Sequence, residues 1–238
     1  MSNSAVSPVR LARRRLSTVV VDGQQALGLQ LAEQLVQLGL GTVILRDDNR
    51  VDEQDTGFRT VDCGRTRAEA ATELIRPRAQ QTALVEAPEG AAVSGADLHI
   101  VTGQGSLPVQ ALHRAAAESP AVLPVVAARA GWQVGPLLLR ESPVCVDCLE
   151  GCELLRSDSD PDGAAAHPAM LSAAAVAAQQ ARVLVDGERR CVMEQVALIA
   201  DSATGMIAPA AVHPRPDCAC LTRVGTSSVS AAVEPVGL

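Results

Sequence analysis

Two closely spaced cysteine pairs stand out as residues that could do chemistry: Cys145 and Cys148 in CVDC, and Cys218 and Cys220 in CAC. Such pairs can form a disulfide, act as a redox dithiol or supply thiolate ligands to a metal ion, and spacing alone leaves the three roles open. The chain has seven cysteines, an odd number, and is long enough to form a core without disulfides. These facts favour a reducing, cytoplasmic compartment, with some cysteines as metal ligands.

The composition of the 238-residue chain restricts its partners. The formal net charge is −7 and there is no lysine, which argues against a nucleic-acid-binding surface. Arg13 to Arg15 precede an apolar run, as in some export signals, but Asp22 ends that run too early for a signal-peptide core. The alanine-rich stretch from 163 to 178 contains His167 and Pro168 and predicts a buried helix rather than a membrane span. We therefore expect neither a nucleic-acid nor a membrane partner.

The first elements predicted from the pattern are strand STVVVDG, helix ALGLQLAEQLVQLGLG and strand TVILRDD, which ends in Asp47 and Asp48. This layout is typical of dinucleotide-type folds, where the first turn approaches phosphates and the acid meets a ribose hydroxyl. The turn retains only its outer glycines, Gly23 and Gly28. The alternative to phosphate binding is therefore a turn that is kept for packing and contacts no nucleotide. The alternative to ribose binding is that Asp47 and Asp48 simply end a solvated strand.

Strands and helices continue to alternate after this unit. ALVEA and ADLHIVTGQG read as strands, PVQALHRAAAE as a helix and AVLPVVAARAG as a further strand. Such alternation predicts an α/β fold: a Rossmann-like, mainly parallel sheet with helices on both faces.

The order of these features resembles the ThiF/MoeB/HesA family, the bacterial relatives of ubiquitin-activating enzymes. Its members have a glycine-rich turn, an acid after the second strand, a G-P-x-x-x-C-x-x-C-L segment past mid-chain and a second cysteine pair near the end. SPVCVDCLE (142–150) resembles the first cysteine segment, HPRPDCAC (213–220) the second and VDCGRTRAEA (61–70) a conserved helix start. The resemblance runs over most of residues 17 to 221.

For the cysteines, the resemblance implies a structural zinc site formed by Cys145, Cys148, Cys218 and Cys220. His213 is an alternative ligand because C-x-C is tighter than the family's spacing, and a redox dithiol remains a second reading. The expected domain is 17–221, with a small zinc-knuckle subdomain from 142–155 and 212–221, between a basic N-terminal tail (1–16) and a flexible C-terminal tail (222–238). The remaining thiols, expected to be free, are Cys63, Cys152 and Cys191.

For activity, the resemblance implies that a C-terminal carboxylate attacks the α-phosphate of Mg-ATP, giving an acyl adenylate. Arg59 and Arg65 fall near the family's phosphate-binding positions. The magnesium aspartate should lie in IVTGQGS, which offers Gln104 and no carboxylate.

These departures favour a degenerate, non-catalytic member that binds a peptide, a carrier protein or a partner enzyme in a cofactor or peptide natural-product pathway. The alternative is an active ATP-dependent adenylyltransferase acting on a peptide or sulfur carrier, with ATP and Mg²⁺ as cofactors. A nicotinamide-dependent oxidoreductase would share the first turn but leave the cysteine pairs unexplained.

The resemblance also implies a homodimer. In the family a basic N-terminal segment can reach the partner subunit's ATP. Here the run from Arg13 to Arg15 ends just before the first strand, which favours a disordered tail.

Overall fold

The computed structural model describes residues 7–106, 108–150, 167–187 and 192–220. The helices are α1 (Pro8–Leu16), α2 (Ala26–Gln37), α3 (Arg67–Ile75), α4 (Val109–Glu118), α5 (Val146–Glu150) and α6 (His167–Asp186). The strands are β1 (Thr18–Asp22), β2 (Thr42–Arg46), β3 (Ala83–Glu86), β4 (Leu98–Gln104), β5 (Ala121–Ala128), β6 (Gly131–Val134), β7 (Leu138–Leu139), β8 (Val196–Asp201) and β9 (Ile207–Ala211). Short 3₁₀ turns span Thr60–Asp62, Arg76–Arg78 and Val192–Glu194.

All the strands described join one sheet in the order β3-β2-β1-β4-β5-β6-β8-β9, with β7 beside β5. The strands from β3 to β5 are parallel, and β6 to β9 pair in antiparallel fashion. The helices α2, α3 and α4 each carry the chain back to the end of the sheet at which the previous strand began. The strands that they connect therefore run parallel. The Rossmann-like α/β fold expected from the sequence is confirmed.

Helices cover both faces of this sheet. Alternate residues of β4 separate the two sides: Leu98 and Ile100 join the core cluster under α2 and α6, whereas Val101 joins the cluster under α4 and α5. Both clusters consist of fully or nearly fully buried side chains. This arrangement leaves the carboxyl ends of β1, β2 and β4 free to form a site.

The helix α6 packs into the core through small side chains rather than aromatic ones. Its buried face consists mainly of alanines, which allow the helix axis to approach both α2 and the sheet closely. These alanines are Ala173, Ala174, Ala177, Ala178 and Ala181. The buried helix predicted here is confirmed, and no helix in the described part of the chain is long and apolar enough to cross a membrane.

The N-terminal basic segment differs from the expectation. Residues 8–16 form the helix α1 and not a disordered tail. Arg14 donates from Nε and Nη2 to the two carboxylate oxygens of Asp186, at 2.6 and 2.7 Å, and Arg13 donates to the Asp186 carbonyl at 2.6 Å. The prediction of disorder was wrong here because the C-terminal end of α6, far away in sequence, supplies acceptors for these arginines. The predicted C-terminal tail lies outside the described residues.

Candidate functional site

The four cysteines meet beside α5. The Sγ atoms of Cys145 and Cys148 are 3.8 Å apart, and the Sγ contacts of Cys145 with Cys218 and of Cys148 with Cys220 are each 3.4 Å. All four sulfur atoms lie within 4.8 Å of one another. A tetrahedral zinc site with Zn–S bonds of about 2.3 Å has sulfur–sulfur distances of about 3.8 Å. The cluster can therefore hold a tetrahedral metal ion.

Local turns place the thiols at this spacing. The Cys148 N–H donates to the Cys145 carbonyl at 3.1 Å, and this turn brings the first pair together. The Cys218 N–H donates to the Arg215 carbonyl at 3.1 Å, in a turn that leads into the second pair. The Arg215 N–H donates to the Cys148 sulfur at 3.4 Å and joins the two halves. Val144 and Val146 anchor the cluster in the core under α4.

The surroundings shift the pKa values of three of the four thiols, and not all in the same direction. Burial raises the pKa of Cys145 and of Cys220 above the ordinary thiol value. Burial also acts to raise the pKa of Cys148, but hydrogen bonds from the backbone of Cys145 and Arg215 outweigh it and lower this pKa to about 7. A bound cation would displace the protons of the remaining thiols.

The other candidate ligands and thiols lie apart from this cluster. His213 is exposed and is not among the metal-site residues of the described chain, so the structure groups four thiols without it. Cys63 is an exposed free thiol, as expected. Cys152 and Cys191 lie outside the described residues.

A cavity of about 330 Å³ occupies the position expected for a nucleotide, at the carboxyl ends of β1, β2 and β4. Gly23 lines it with φ of 86°, and a Cβ there would lie 2.7 Å from Thr102 Oγ1. A Cβ on Gly28 would lie 1.8 Å from the Gly23 carbonyl oxygen. Close packing of β1, α2 and β4 thus accounts for both glycines, and nucleotide contact by them stays a prediction.

The two acids after β2 are already engaged. Asp47 is buried: its Oδ2 accepts the Gln24 N–H at 2.8 Å, and its Oδ1 accepts the Asn49 N–H and side-chain amide at 3.0 and 2.9 Å. Asp48 accepts the Glu89 N–H at 3.2 Å. The carboxylate of Asp47 therefore fixes the first turn, so the alternative of a solvated strand end is wrong for Asp47. A ribose contact by either acid stays a prediction.

Arg59 and Arg65 do not line this cavity. Both pair with Asp62, at 2.8 and 3.3 Å, and with Glu73, at 3.2 and 2.6 Å. The hydrogen bond from Arg59 lowers the pKa of Asp62, so the acid stays ionised within this network. The two arginines stabilise the loop before α3, and phosphate binding by them remains a prediction.

The arginines that line the cavity are not the two predicted ones, Arg59 and Arg65. They are Arg67, held by Asp55 at 2.8 and 2.9 Å, and Arg114, paired with Glu89 at 3.1 Å. Arg67 lies within the helix-start motif, which offered a signal for it. Arg114 lies in α4, and its sequence neighbourhood carries no such signal.

A buried polar network around Asp22 was also missed. His99 Nε2 lies 2.8 Å from Asp22 Oδ2, and Arg46 Nε lies 3.4 Å from Asp22 Oδ1. Arg46 is fully buried and pairs with Glu118 at 2.7 Å. This network places a further carboxylate, that of Asp22, in the cavity wall.

Comparison with solved structures shows what this architecture is. The chain superposes on the microcin C7 biosynthetic enzyme MccB in complex with N-formylated MccA with a TM-score of 0.73, at 16% identity, over 90% of this chain and 70% of that one. The chain has the MccB fold. E. coli MccB with ATP gives a TM-score of 0.73, at 16% identity, over 90% of this chain and 68% of that one.

The chain is also similar in structure to PaaA. The TM-score is 0.67, at 18% identity, over 86% of this chain and 75% of that one. MccB and PaaA are ThiF/MoeB-type adenylyltransferases, so the resemblance seen in the sequence is confirmed at the level of the fold. No family model matches the chain, and no curated protein matches it by sequence. The likeness of this chain to these proteins is therefore one of fold.

Proposed function

We propose that this protein is a divergent ThiF-type protein that retains the MccB fold without its ATP chemistry and binds a peptide or a partner enzyme in a cofactor or peptide natural-product pathway. The observation that carries this proposal is the chemistry of the cavity at the ends of β1, β2 and β4. Gln104 stands where a magnesium ligand is expected, and its amide contacts Met170 Sδ at 3.3 Å. A neutral amide offsets less of the positive charge of Mg²⁺ than the expected carboxylate would, so it holds the ion against phosphates more weakly.

The charge of the cavity wall supports the same conclusion. Asp22, Asp47 and Glu89 contribute three carboxylates, while Arg67 and Arg114 are each engaged by a carboxylate of this chain. Adenylation concentrates negative charge on phosphates and needs cations aimed at it. The pairing of both arginines within the chain therefore supports a cavity that does not bind a Mg-triphosphate.

The structural neighbours support a peptide as the ligand class. MccB has been seen with N-formylated MccA and with other forms of MccA. In this chain the same architecture would bind a peptide or carrier protein, as a homodimer, with the four cysteines holding one structural zinc ion. Thiolates in a closed tetrahedral set are the ligands that Zn²⁺ prefers in structural sites.

The alternative is an active adenylyltransferase, and one observation favours it. The helix α2 begins at Ala26 with no side chain capping its N-terminus, and Gln25 lies in the cavity wall. Uncapped N–H groups at a helix start can bind an anion.

The deciding experiment is a calorimetric titration of Mg-ATP into the folded, metal-loaded protein. We expect no binding heat, and no exchange of labelled pyrophosphate into ATP when N-formylated MccA is supplied as a trial acceptor. Micromolar binding of Mg-ATP that weakens in Arg114→Ala, together with pyrophosphate exchange, would instead establish the active alternative.

A further inference from the structure

A second, larger cavity lies beside His113 and Ala116 of α4 and Ser119, which follows the helix. It has a volume of about 790 Å³ and is enclosed by α4, β7 and the segment that leads into Cys145. Its walls include the buried side chains of Val122, Leu138 and Val144. Its size is that of a ligand site, and nothing in nucleotide binding requires it.

The wall contains a buried polar group that lacks a hydrogen-bond partner. Ser119 follows α4 and is only 2% exposed, yet its Oγ has no hydrogen-bond partner among the described residues. A buried hydroxyl without a partner has lost its hydrogen bonds to water and destabilises the protein. Because a hydroxyl can donate and accept and can rotate about its χ1 bond, Ser119 suits a neutral hydrogen-bonding group of a ligand.

Charges of both signs surround the opening. His113 Nε2 lies 3.3 Å from Asp147 Oδ1. Arg140 and Glu141 are exposed cavity residues, and neither forms an ion pair within the described part of the chain. Such a rim favours no single sign of net charge in its ligand.

We propose that this cavity binds an aliphatic side chain of a partner polypeptide together with its adjacent peptide amide, which hydrogen-bonds to Ser119. The inference rests on the proposed peptide-binding function and locates it away from the nucleotide-type cavity. A pure hydrocarbon would leave Ser119 unsatisfied, and a carboxylate placed beside Ser119 would be desolvated while Arg140 stays exposed at the rim. An aliphatic residue in a peptide supplies both apolar surface and a neutral amide.

The test uses NMR of the full-length, metal-loaded chain with labelled methyl groups. The probe is N-acetyl-leucine methylamide, and N-acetyl-asparagine methylamide is its polar counterpart. We expect the leucine probe to shift the methyl signals of Val122, Leu138 and Val144 and the asparagine probe to leave them in place.

Two tryptophan variants on α4 test the location. Ala116 is an exposed residue of the cavity wall, so Ala116→Trp should narrow the space and weaken binding of the leucine probe by about tenfold. Ala117 is also exposed and is not among the lining residues, so Ala117→Trp should bind as wild type does. Ser119→Ala should bind the probe several-fold more weakly, because it keeps the shape and loses the hydroxyl.

The inference is overturned if the leucine probe shifts no cavity methyl group, or if both tryptophan variants bind it equally. Shifts confined to residues around Gly23 and Gln104 would place peptide binding in the other cavity and overturn this location only. Mg-ATP binding and pyrophosphate exchange would overturn the proposed function without changing the outcome of the probe titration. The two failures are therefore distinguishable.

Discussion

Gly28 fits both a phosphate-binding turn and a tightly packed turn that binds no nucleotide. In the sequence it is the last glycine of a phosphate-binding turn, whereas in the structure the space for its Cβ is taken by the backbone of Gly23. The glycine is required whether or not a nucleotide binds. Its presence therefore carries little information about ATP, while the engaged carboxylate of Asp47 and the amide of Gln104 carry more.

We predict that Gly28→Ala destabilises the fold by about 3 kcal/mol, because a Cβ 1.8 Å from a carbonyl oxygen forces β1 and α2 apart. Urea unfolding would measure the change. Gly90→Ala is the matched control: no heavy atom lies within 4 Å of its added Cβ, so its stability should stay within about 0.5 kcal/mol of wild type. Equal stability of the two variants would contradict the packing role of Gly28.

Among the elements, α1 and α6 depend on each other. Arg14 and Asp186 form a two-pronged ion pair with side chains that are 11% and 7% exposed. Hydrogen bonding to Arg14 lowers the pKa of Asp186 below the ordinary value of an aspartate. This contribution to stability is therefore present above the unfolded-state pKa and is lost as the pH falls through the lower folded-state value.

We predict that Asp186→Asn lowers the free energy of unfolding by about 2 kcal/mol at neutral pH. The difference from wild type should shrink as the pH falls below about 4, where the unfolded carboxylate becomes protonated. Urea unfolding at a series of pH values measures it, with the exposed Glu141→Gln as a variant that should track wild type throughout. A difference that does not change with pH would exclude the ion pair as its cause.

Across the whole molecule, the cysteine cluster joins segments that are distant in sequence. The contact between Cys145 and Cys218 spans 73 residues, and the cluster packs into the core under α4. Fixing such a long loop restricts the unfolded chain, so metal binding should stabilise the entire fold. The same α4 contributes to both cavities, and a rigid cluster would hold the larger one open.

We predict that the purified protein contains about one zinc ion per chain and that Cys145→Ser loses it, with a clear drop in the thermal midpoint. Elemental analysis and thermal unfolding measure these effects. Cys63→Ser should keep both the metal and the wild-type midpoint, since Cys63 is exposed and lies outside the cluster. A metal-free wild type that is fully folded would refute the zinc assignment.

The sequence by itself determined the features that depend on local pattern. Apolar runs predicted the strands β1 to β5 and the helices α2 and α4, the alanine-rich stretch predicted α6, and the spacing of Cys145 and Cys148 identified half of a cluster. The antiparallel strands β8 and β9 were not predicted. These succeed because periodicity and short turns are set by neighbouring residues. The family resemblance supplied the pairing of the two cysteine segments.

Only the tertiary structure decided which charged groups meet. In the structure Arg59 and Arg65 pair with Asp62, and Arg114 lines the cavity. Asp186 accepts the hydrogen bonds that hold α1. The structure also revealed the second cavity and the unpartnered Ser119 hydroxyl. Ion pairing and cavity shape depend on residues far apart in the chain, so no local pattern of residue types encodes them.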